Sequence, residues 1–565
     1  MSIQFSLAPA LEGAVAAAAA DWQANNKVAR FWAKDASLWT SSGEENWLGW
    51  QTIVERQQAA QADFNALAAD VKAGGFESAV LLGMGGSSLC PEVLSVTFGP
   101  QAGFPNLHIV DSTNPAQVLS VRRKVDLSKA LIIVASKSGS TLEPNVLKQY
   151  FFDETAKSLN FKKPGKHFIA ITDPGSKMEQ VALRDGFRHI FYGDPKIGGR
   201  FSALSNFGII AAVVAGIDSR RALAEAAAVV AQCKLPVAEN PAVRLGLLLG
   251  TAANQGRDKI TIFTSPEIYD LGAWMEQLIA ESTGKLGKGI TPVDGEQIQS
   301  PEFYSPDRIF AYIRLKGSKD TALDEKVQKI AAAGHPVITL EISSLYGIFG
   351  QFFLWEVATS VAGAVMGINP FNQPDVESAK IETRALTAAY EETGKLPVST
   401  PFLEDAGIKL YATEAYASKI KGATLAETLR RHLSEIRAND YFAALAYLPM
   451  FPDYEAAVQI LRYNVLKNKK IATCVGFGPR FLHSTGQDYK GGPNQGVFLQ
   501  ITSDHAEDAA IPDQKYSFGV VVDAQAAGDL AVLESRGRRA LRVHLGADIA
   551  AGLKTLNEAV EAALA

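Results

Sequence analysis

The sequence predicts an α/β protein with tandem parallel sheets, each flanked by helices in three layers. A helical segment precedes these sheets and a further α/β region follows them. Three observations carry the prediction. From residue 78 onward, short aliphatic and β-branched runs alternate with amphipathic stretches, the pattern of parallel strands joined by crossover helices. The runs are apolar throughout rather than alternating, as in sheets covered on both faces. The chain has 565 residues, 47% of them hydrophobic and 20% charged, which fits about three or four ordinary globular domains.

Residues 1–75 read as helices, with 47–72 rich in Ala, Gln, Leu and Glu and free of proline. A first α/β unit follows over 76–235, with strands at AVLLGM (79–84), NLHIVD (106–111), ALIIVAS (130–136), HFIAITD (167–173) and RHIFYG (188–193). A second unit over 236–390 carries KITIFTS (259–265), RIFAYIRL (308–315) and PVITLEI (336–342). The remainder, 391–565, carries KIATCVGFG (470–478), GVFLQIT (496–502) and ALRVHLG (540–546). Aligning KITIFTS with KIATCVGFG, and the later strands in order, makes this tail a weak partial repeat of the second unit. Two α/β segments that merely look alike account for the pattern equally well.

Lys and Arg number 55 against 60 Asp and Glu, a net charge of −5 without a basic stripe, which argues against a nucleic-acid partner. Cys90, Cys233 and Cys474 are too few and too scattered for a disulfide framework or a zinc site, and fit a reducing cytoplasm. The first residues carry Glu12 and Asp21 and lack the basic start of a signal peptide. The longest apolar run, 207–217, is short of the ~20 residues of a membrane span, so no membrane association is expected. No cluster of metal-ligand type stands out, and no metal or cofactor is expected.

Two turns have the chemistry of anion cradles. Gly83-Met-Gly85-Gly86-Ser87-Ser88 follows an apolar strand directly. Glycines let main-chain N–H groups approach an anion closely. A dinucleotide fingerprint is one reading, with Asp111 near the expected spacing, but Ser88 stands where the third glycine belongs. The second turn, Ser136-Lys137-Ser138-Gly139-Ser140-Thr141, ends a strand and opens a helix carrying Glu143. Its hydroxyls and lysine suit a phosphate monoester at the carboxyl end of a parallel strand.

LLGMGGSSLCPEV followed by SKSGSTLEP resembles the first sugar-isomerase (SIS) domain of the glucose-6-phosphate isomerase family. The resemblance implies tandem SIS-type domains, a sugar phosphate held by Ser136, Lys137, Ser138 and Thr141, and a substrate lying against Gly85, Gly86 and Ser87.

Further motifs match in turn. Gly198-Gly199-Arg200-Phe-Ser resembles the family's GGR loop, which implies a substrate-facing Arg200. On a helix, Gln277 and Glu281 are four apart and share a face. The pattern Q-x-x-x-E-S-x-G-K resembles the family's catalytic helix, with Glu281 the base that moves a proton between C2 and C1 and Gln277 a substrate contact. FNQPDVESAK resembles the family's FDQxGVExxK, which assigns Gln373 to substrate binding and Lys380 to ring opening. Asp375 replaces a small residue there and puts the local loop shape in question. The family's histidine normally lies between the glutamate and the lysine. Here that interval holds only His335, in the wrong context, whereas RFLHSTGQ resembles the histidine segment and nominates His483. If the tail copies the second unit, one copy supplies Glu281 and the other His483.

The arrangement is similar to the isomerase half of bifunctional transaldolase/isomerase proteins, although these residues leave no stretch for a transaldolase barrel of about 250 residues. The resemblance implies reversible isomerisation of D-glucose 6-phosphate to D-fructose 6-phosphate through a cis-enediol, in glycolysis and gluconeogenesis, by a cytoplasmic homodimer. An isomerase for another acidic hexose and a non-catalytic sugar-phosphate sensor are the alternatives. A sensor needs only the cradle, not the Glu281 and Lys380 motifs.

Overall fold

The computed structural model describes residues 2–397 and 399–565, with side chains at all of these but 376–379. Among the described residues the strands form three sheets. The first is wholly parallel and runs Asn106–Val110, Ser78–Leu82, Ala130–Ala135, Phe168–Thr172, His189–Tyr192 from edge to edge. All six residues of Ala130–Ala135 are buried, as an unbroken apolar run covered on both faces requires. The second sheet runs Ser2–Ser6, Val337–Ile342, Arg308–Leu315, Lys259–Thr264, Thr291–Val293. The third runs Leu403–Asp405, Ile408–Tyr411, Arg539–His544, Gly496–Thr502, Tyr441–Tyr447, Ala472–Phe477.

The three sheets share one topology. Counted in chain order, the first four parallel strands of each lie in the spatial order fourth, third, first, second. The second and third sheets also carry an antiparallel strand beside their fourth, Ser2–Ser6 in one and Ile408–Tyr411 in the other. This shared order pairs Lys259–Thr264 with Tyr441–Tyr447, and Thr291–Val293 with Ala472–Phe477. The sequence alignment is therefore out by one strand at its first pair, KITIFTS against KIATCVGFG, while its later pairs, RIFAYIRL with GVFLQIT and PVITLEI with ALRVHLG, hold the same places in their sheets. Tyr441–Tyr447 (YFAALAY) escaped notice because its alanines are poor strand formers. Its burial on every residue puts it inside the sheet all the same.

The leading segment is helical over Pro9–Ala24 and Gln61–Gly74, but it opens with a strand where the sequence reads as helix. In Ser2–Ser6, Ile3 and Phe5 alternate with polar neighbours and pair with Leu340 and Ile338. The central core helix is Gly347–Met366, which packs against Pro241–Asn254, Ser219–Cys233 and Leu271–Thr283. Gly347–Met366 is long and apolar enough to cross a membrane, and it lies buried inside the fold.

In open α/β sheets, ligands bind where neighbouring strands send their connections to opposite sides. In the first sheet that point lies between Ser78–Leu82 and Ala130–Ala135, and the loops leaving these two strands are the Gly83–Ser88 and Ser136–Thr141 turns.

Candidate active site

The glycine turn is set by close packing. A Cβ on Gly86 would sit 2.0 Å from the Gly199 carbonyl oxygen and 2.8 Å from the Arg200 nitrogen. Gly85 has φ +56°, and a Cβ there would meet Gln277 Nε2 at 2.9 Å and His483 Cβ at 3.0 Å. Ser87 is buried beside them, and Ser88 donates to Asp111 Oδ2 (3.0 Å). Asp111 also faces Arg480 Nε at 3.4 Å, so it is held within the fold and is not presented to a ribose. This turn brings three distant segments together: the Arg200 loop, the Leu271–Thr283 helix and the His483 segment.

Glu281 lies in the last turn of Leu271–Thr283 and is 8% exposed. Gln277 Nε2 donates to Glu281 Oε2 (3.0 Å) and to the His483 carbonyl (2.8 Å), which fixes the histidine segment over the glutamate. Arg200 Nη1 is 3.4 Å from Glu281 Oε1. The rest of the guanidinium is engaged: Nε donates to Ser282 Oγ (2.7 Å), Nη1 to Gln373 Oε1 (3.0 Å), and Nη2 to the carbonyls of Pro370 (2.7 Å) and Asn372 (3.0 Å). Burial pushes the Arg200 guanidinium down from its ordinary value, and Glu281 opposes this. Lys285, one residue past the helix's glycine cap, donates to the Asn369 carbonyl (2.9 Å) and to Asn372 Oδ1 (3.0 Å). Burial, and then the nearby Arg200 charge, hold its ammonium well below the usual lysine range. Two buried basic side chains thus clamp the turn that presents Gln373.

His483 lies beyond Gln277, and its side chain lines a cavity whose lining does not include Glu281. Its Nε2 lies 3.0 Å from Glu143 Oε1, and Gln525 Nε2 donates to the same oxygen at 2.7 Å. Thr113 Oγ1 donates in turn to Gln525 Oε1 (2.5 Å). With Nε2–H directed at the carboxylate, Nδ1 is the ring nitrogen left outside this bond. Burial pushes the Glu143 carboxyl up, but the charge and hydrogen bond of His483, with the charge of Lys380, outweigh it and leave the group below its ordinary value. Glu143 therefore stays ionised as the histidine's partner.

That cavity, of about 250 Å³, is lined by Ser138, Ser140, Thr141, Lys380 and His483 among others. Thr141 starts the Leu142–Ser158 helix without a side-chain cap, so the first helical N–H groups remain available to an anion. Lys137 lies outside that lining. Its Nζ donates to Asp173 Oδ1 (2.9 Å) and to the Asp194 carbonyl (3.0 Å). Ser136 Oγ is buried without a hydrogen-bond partner among the described residues.

Lys380 rides on Pro374–Thr393, which packs along Phe518–Ser535. The start of this helix is tied to the tail at Asp375, the position departing from the family pattern. Gln487 Nε2 donates to Asp375 Oδ2 (2.8 Å) and to the Gly284 carbonyl (2.8 Å), while Gln487 Oε1 accepts from the Asp375 N–H (3.0 Å). Arg536 Nη2 pairs with Asp375 Oδ1 at 2.7 Å. Motif positions 376–379 fall outside the described side chains.

The site thus draws Arg200 and Glu143 from the first unit, Glu281, Gln277 and Lys380 from the second, and His483 and Gln525 from the tail, within one chain. The sequence reading assigned no role to Glu143, Gln525 or Thr113. Glu143 stood within the cradle motif itself, whereas Gln525 and Thr113 lie in no recognisable motif.

Comparison with known proteins shows the family. Residues 56–300 match the family model described as Phosphoglucose isomerase. A glucose-6-phosphate isomerase of Rubrobacter xylanophilus is 30% identical over 368 residues, 56% of this chain and 83% of the relative. A probable glucose-6-phosphate isomerase of Methanococcus maripaludis is 27% identical over 342 residues, 54% of this chain and 77% of the relative. In fold, the chain is similar to the crystal structure of a hypothetical protein of Thermus thermophilus. That match has a TM-score of 0.59 and 24% identity, and covers 68% of this chain and 99% of the other. On the strength of the Rubrobacter relative and the family model together, the chain belongs to the phosphoglucose isomerase family.

Proposed function

We propose that this protein interconverts D-glucose 6-phosphate and D-fructose 6-phosphate. The observation that carries the reading is the meeting of Glu281 and His483 across Gln277, with Glu143 behind the histidine. One carboxylate is set for carbon-acid chemistry and one imidazole for oxygen-acid chemistry.

The phosphate binds at Ser138, Ser140 and Thr141 and supplies binding energy remote from the reacting carbons. His483, oriented by Glu143, and Lys380 move the protons of ring opening between the ring oxygen and the C1 hydroxyl. Glu281 then removes the C2 proton as the C2–H electron pair forms the enediol double bond and the C1 carbonyl pair moves onto O1; a proton passes from O2 to O1, and Glu281 returns a proton to C1 as the C2 carbonyl forms. Arg200, buried 3.4 Å from Glu281 and bonded within the protein, favours the enediolate through its positive charge and not by direct contact. The scheme assigns no step to a metal or cofactor.

On this reading the protein works in glycolysis and gluconeogenesis in the cytoplasm, as the family resemblance implies. The family resemblance favours a homodimer.

The test is turnover of fructose 6-phosphate without added metal, coupled to NADP reduction through glucose-6-phosphate dehydrogenase. Glu281→Gln should abolish turnover and leave sugar-phosphate binding intact. Retained turnover in that variant overturns the assignment, and binding without turnover in the unaltered protein makes the chain a sensor.

A further inference from the structure

We infer that Arg384 is the cation that neutralises the substrate phosphate, and so sets the enzyme's preference for a dianionic sugar. The inference rests on the isomerase reading above. A phosphate monoester carries nearly two negative charges at neutral pH, and the hydroxyls of Ser138, Ser140 and Thr141 offer it no charge. The lysine of that loop does not supply one to the cavity, because the Lys137 ammonium is bonded to Asp173 and to the Asp194 carbonyl and stands outside the lining.

The cationic side chains lining the cavity are Lys380, Arg384 and, when protonated, His483. Lys380 and Arg384 are four residues apart on the Pro374–Thr393 helix and so share a face. Burial sorts the lining into two ends. Glu143 and Gln525 are buried and hold His483 at the floor, while Ser138, Ser140 and Arg384 are exposed at the rim. Lys380 lies between these ends in exposure. A hexose phosphate entering with its sugar toward His483 leaves its phosphate at the rim, among the serine hydroxyls and Arg384. A planar guanidinium suits two phosphate oxygens at once. The bound phosphate then joins the 136–141 loop of the first unit to a helix that the tail holds in place, closing the cavity's mouth.

The test compares wild type with R384A and R384K. Loss of a charge-assisted contact should raise KM for fructose 6-phosphate about 10- to 100-fold in R384A, with kcat within about threefold. R384K should recover part of the loss. Inorganic phosphate should stabilise wild type in a thermal-shift titration, and this stabilisation should be lost in R384A. A KM within twofold of wild type with an unchanged phosphate response overturns the inference, as does a fall in kcat at constant KM. Absence of turnover in wild type would defeat the isomerase reading instead, and the phosphate titration would still decide the role of Arg384.

Discussion

His483 Nε2 lies 3.0 Å from Glu143 Oε1, joining two side chains 340 positions apart. The carboxylate is pinned by Gln525 as well, so the imidazole is held in one tautomer and one orientation. If that orientation serves ring opening, H483N and E143Q should each lower kcat for the cyclic hexose phosphate by about 10²-fold or more. The effect should largely vanish with a sugar phosphate too short to close a ring, because proton transfer at carbon falls to Glu281. Equal losses on both substrates would place His483 in the carbon chemistry.

The glycine turn gives a sharper steric forecast. A Cβ on Gly86 would sit 2.0 Å from the Gly199 carbonyl oxygen, far inside contact distance, and both partners are backbone. G86A should therefore push the Arg200 loop away from Glu281 and cost both activity and stability, on the order of 1–3 kcal/mol. A G86A variant with unaltered melting temperature and kcat would show that the two loops do not meet this closely.

The sites where sequence was informative are those where chemistry and local geometry coincide. Gln277 and Glu281 share a helix face at a spacing of four, and both cradles follow apolar strands directly. These relationships span a few residues. What stayed hidden was tertiary. Nothing near Glu143 announces its pairing with His483, and nothing near Gln525 announces that it holds Glu143. Tyr441–Tyr447 is a strand by burial, not by propensity, and without it KITIFTS falls against the second strand of the tail's sheet instead of the first. Asp375 was noticed as a departure, but its reason, the Gln487 and Arg536 contacts, exists only once the tail folds onto the helix.

Those contacts rank the substitutions at Asp375. The Arg536 side chain is 42% exposed, so its ion pair with Asp375 is worth under about 1 kcal/mol after solvent screening. Gln487 is fully buried and exchanges two hydrogen bonds with Asp375, one to its side chain and one to its N–H. R536A and D375N should leave kcat/KM within about threefold, whereas D375G, the small residue of the family pattern, should lower it about tenfold by loosening the helix that carries Lys380. Steady-state kinetics on the three variants checks the order, and a larger loss in R536A than in D375G would reverse it.

Glu276 supplies a pH dependence independent of catalysis. It lines a cavity of about 420 Å³ together with Asp270, Asp294, Glu455 and Arg462. Burial, and then the charge of Asp294, push its carboxyl up from 4.5 to about 8 against the opposing pull of Arg462 and Ser484. Burial likewise raises Asp294 to about 6 and, with the Asp294 charge, Asp270 to about 7. A carboxyl raised in the folded state binds more protons folded than unfolded. Its stabilising contribution is present below pH 4.5 and is lost as pH climbs through about 8. Wild type should therefore lose stability between these limits. E276Q, which cannot ionise, should match wild type near pH 5 and exceed it near pH 8 by about 1–3 kcal/mol. Denaturant unfolding at the two pH values measures the difference directly. An E276Q advantage that is the same at both would mean that Glu276 does not titrate in this window, and that the cavity holds its carboxylate charged.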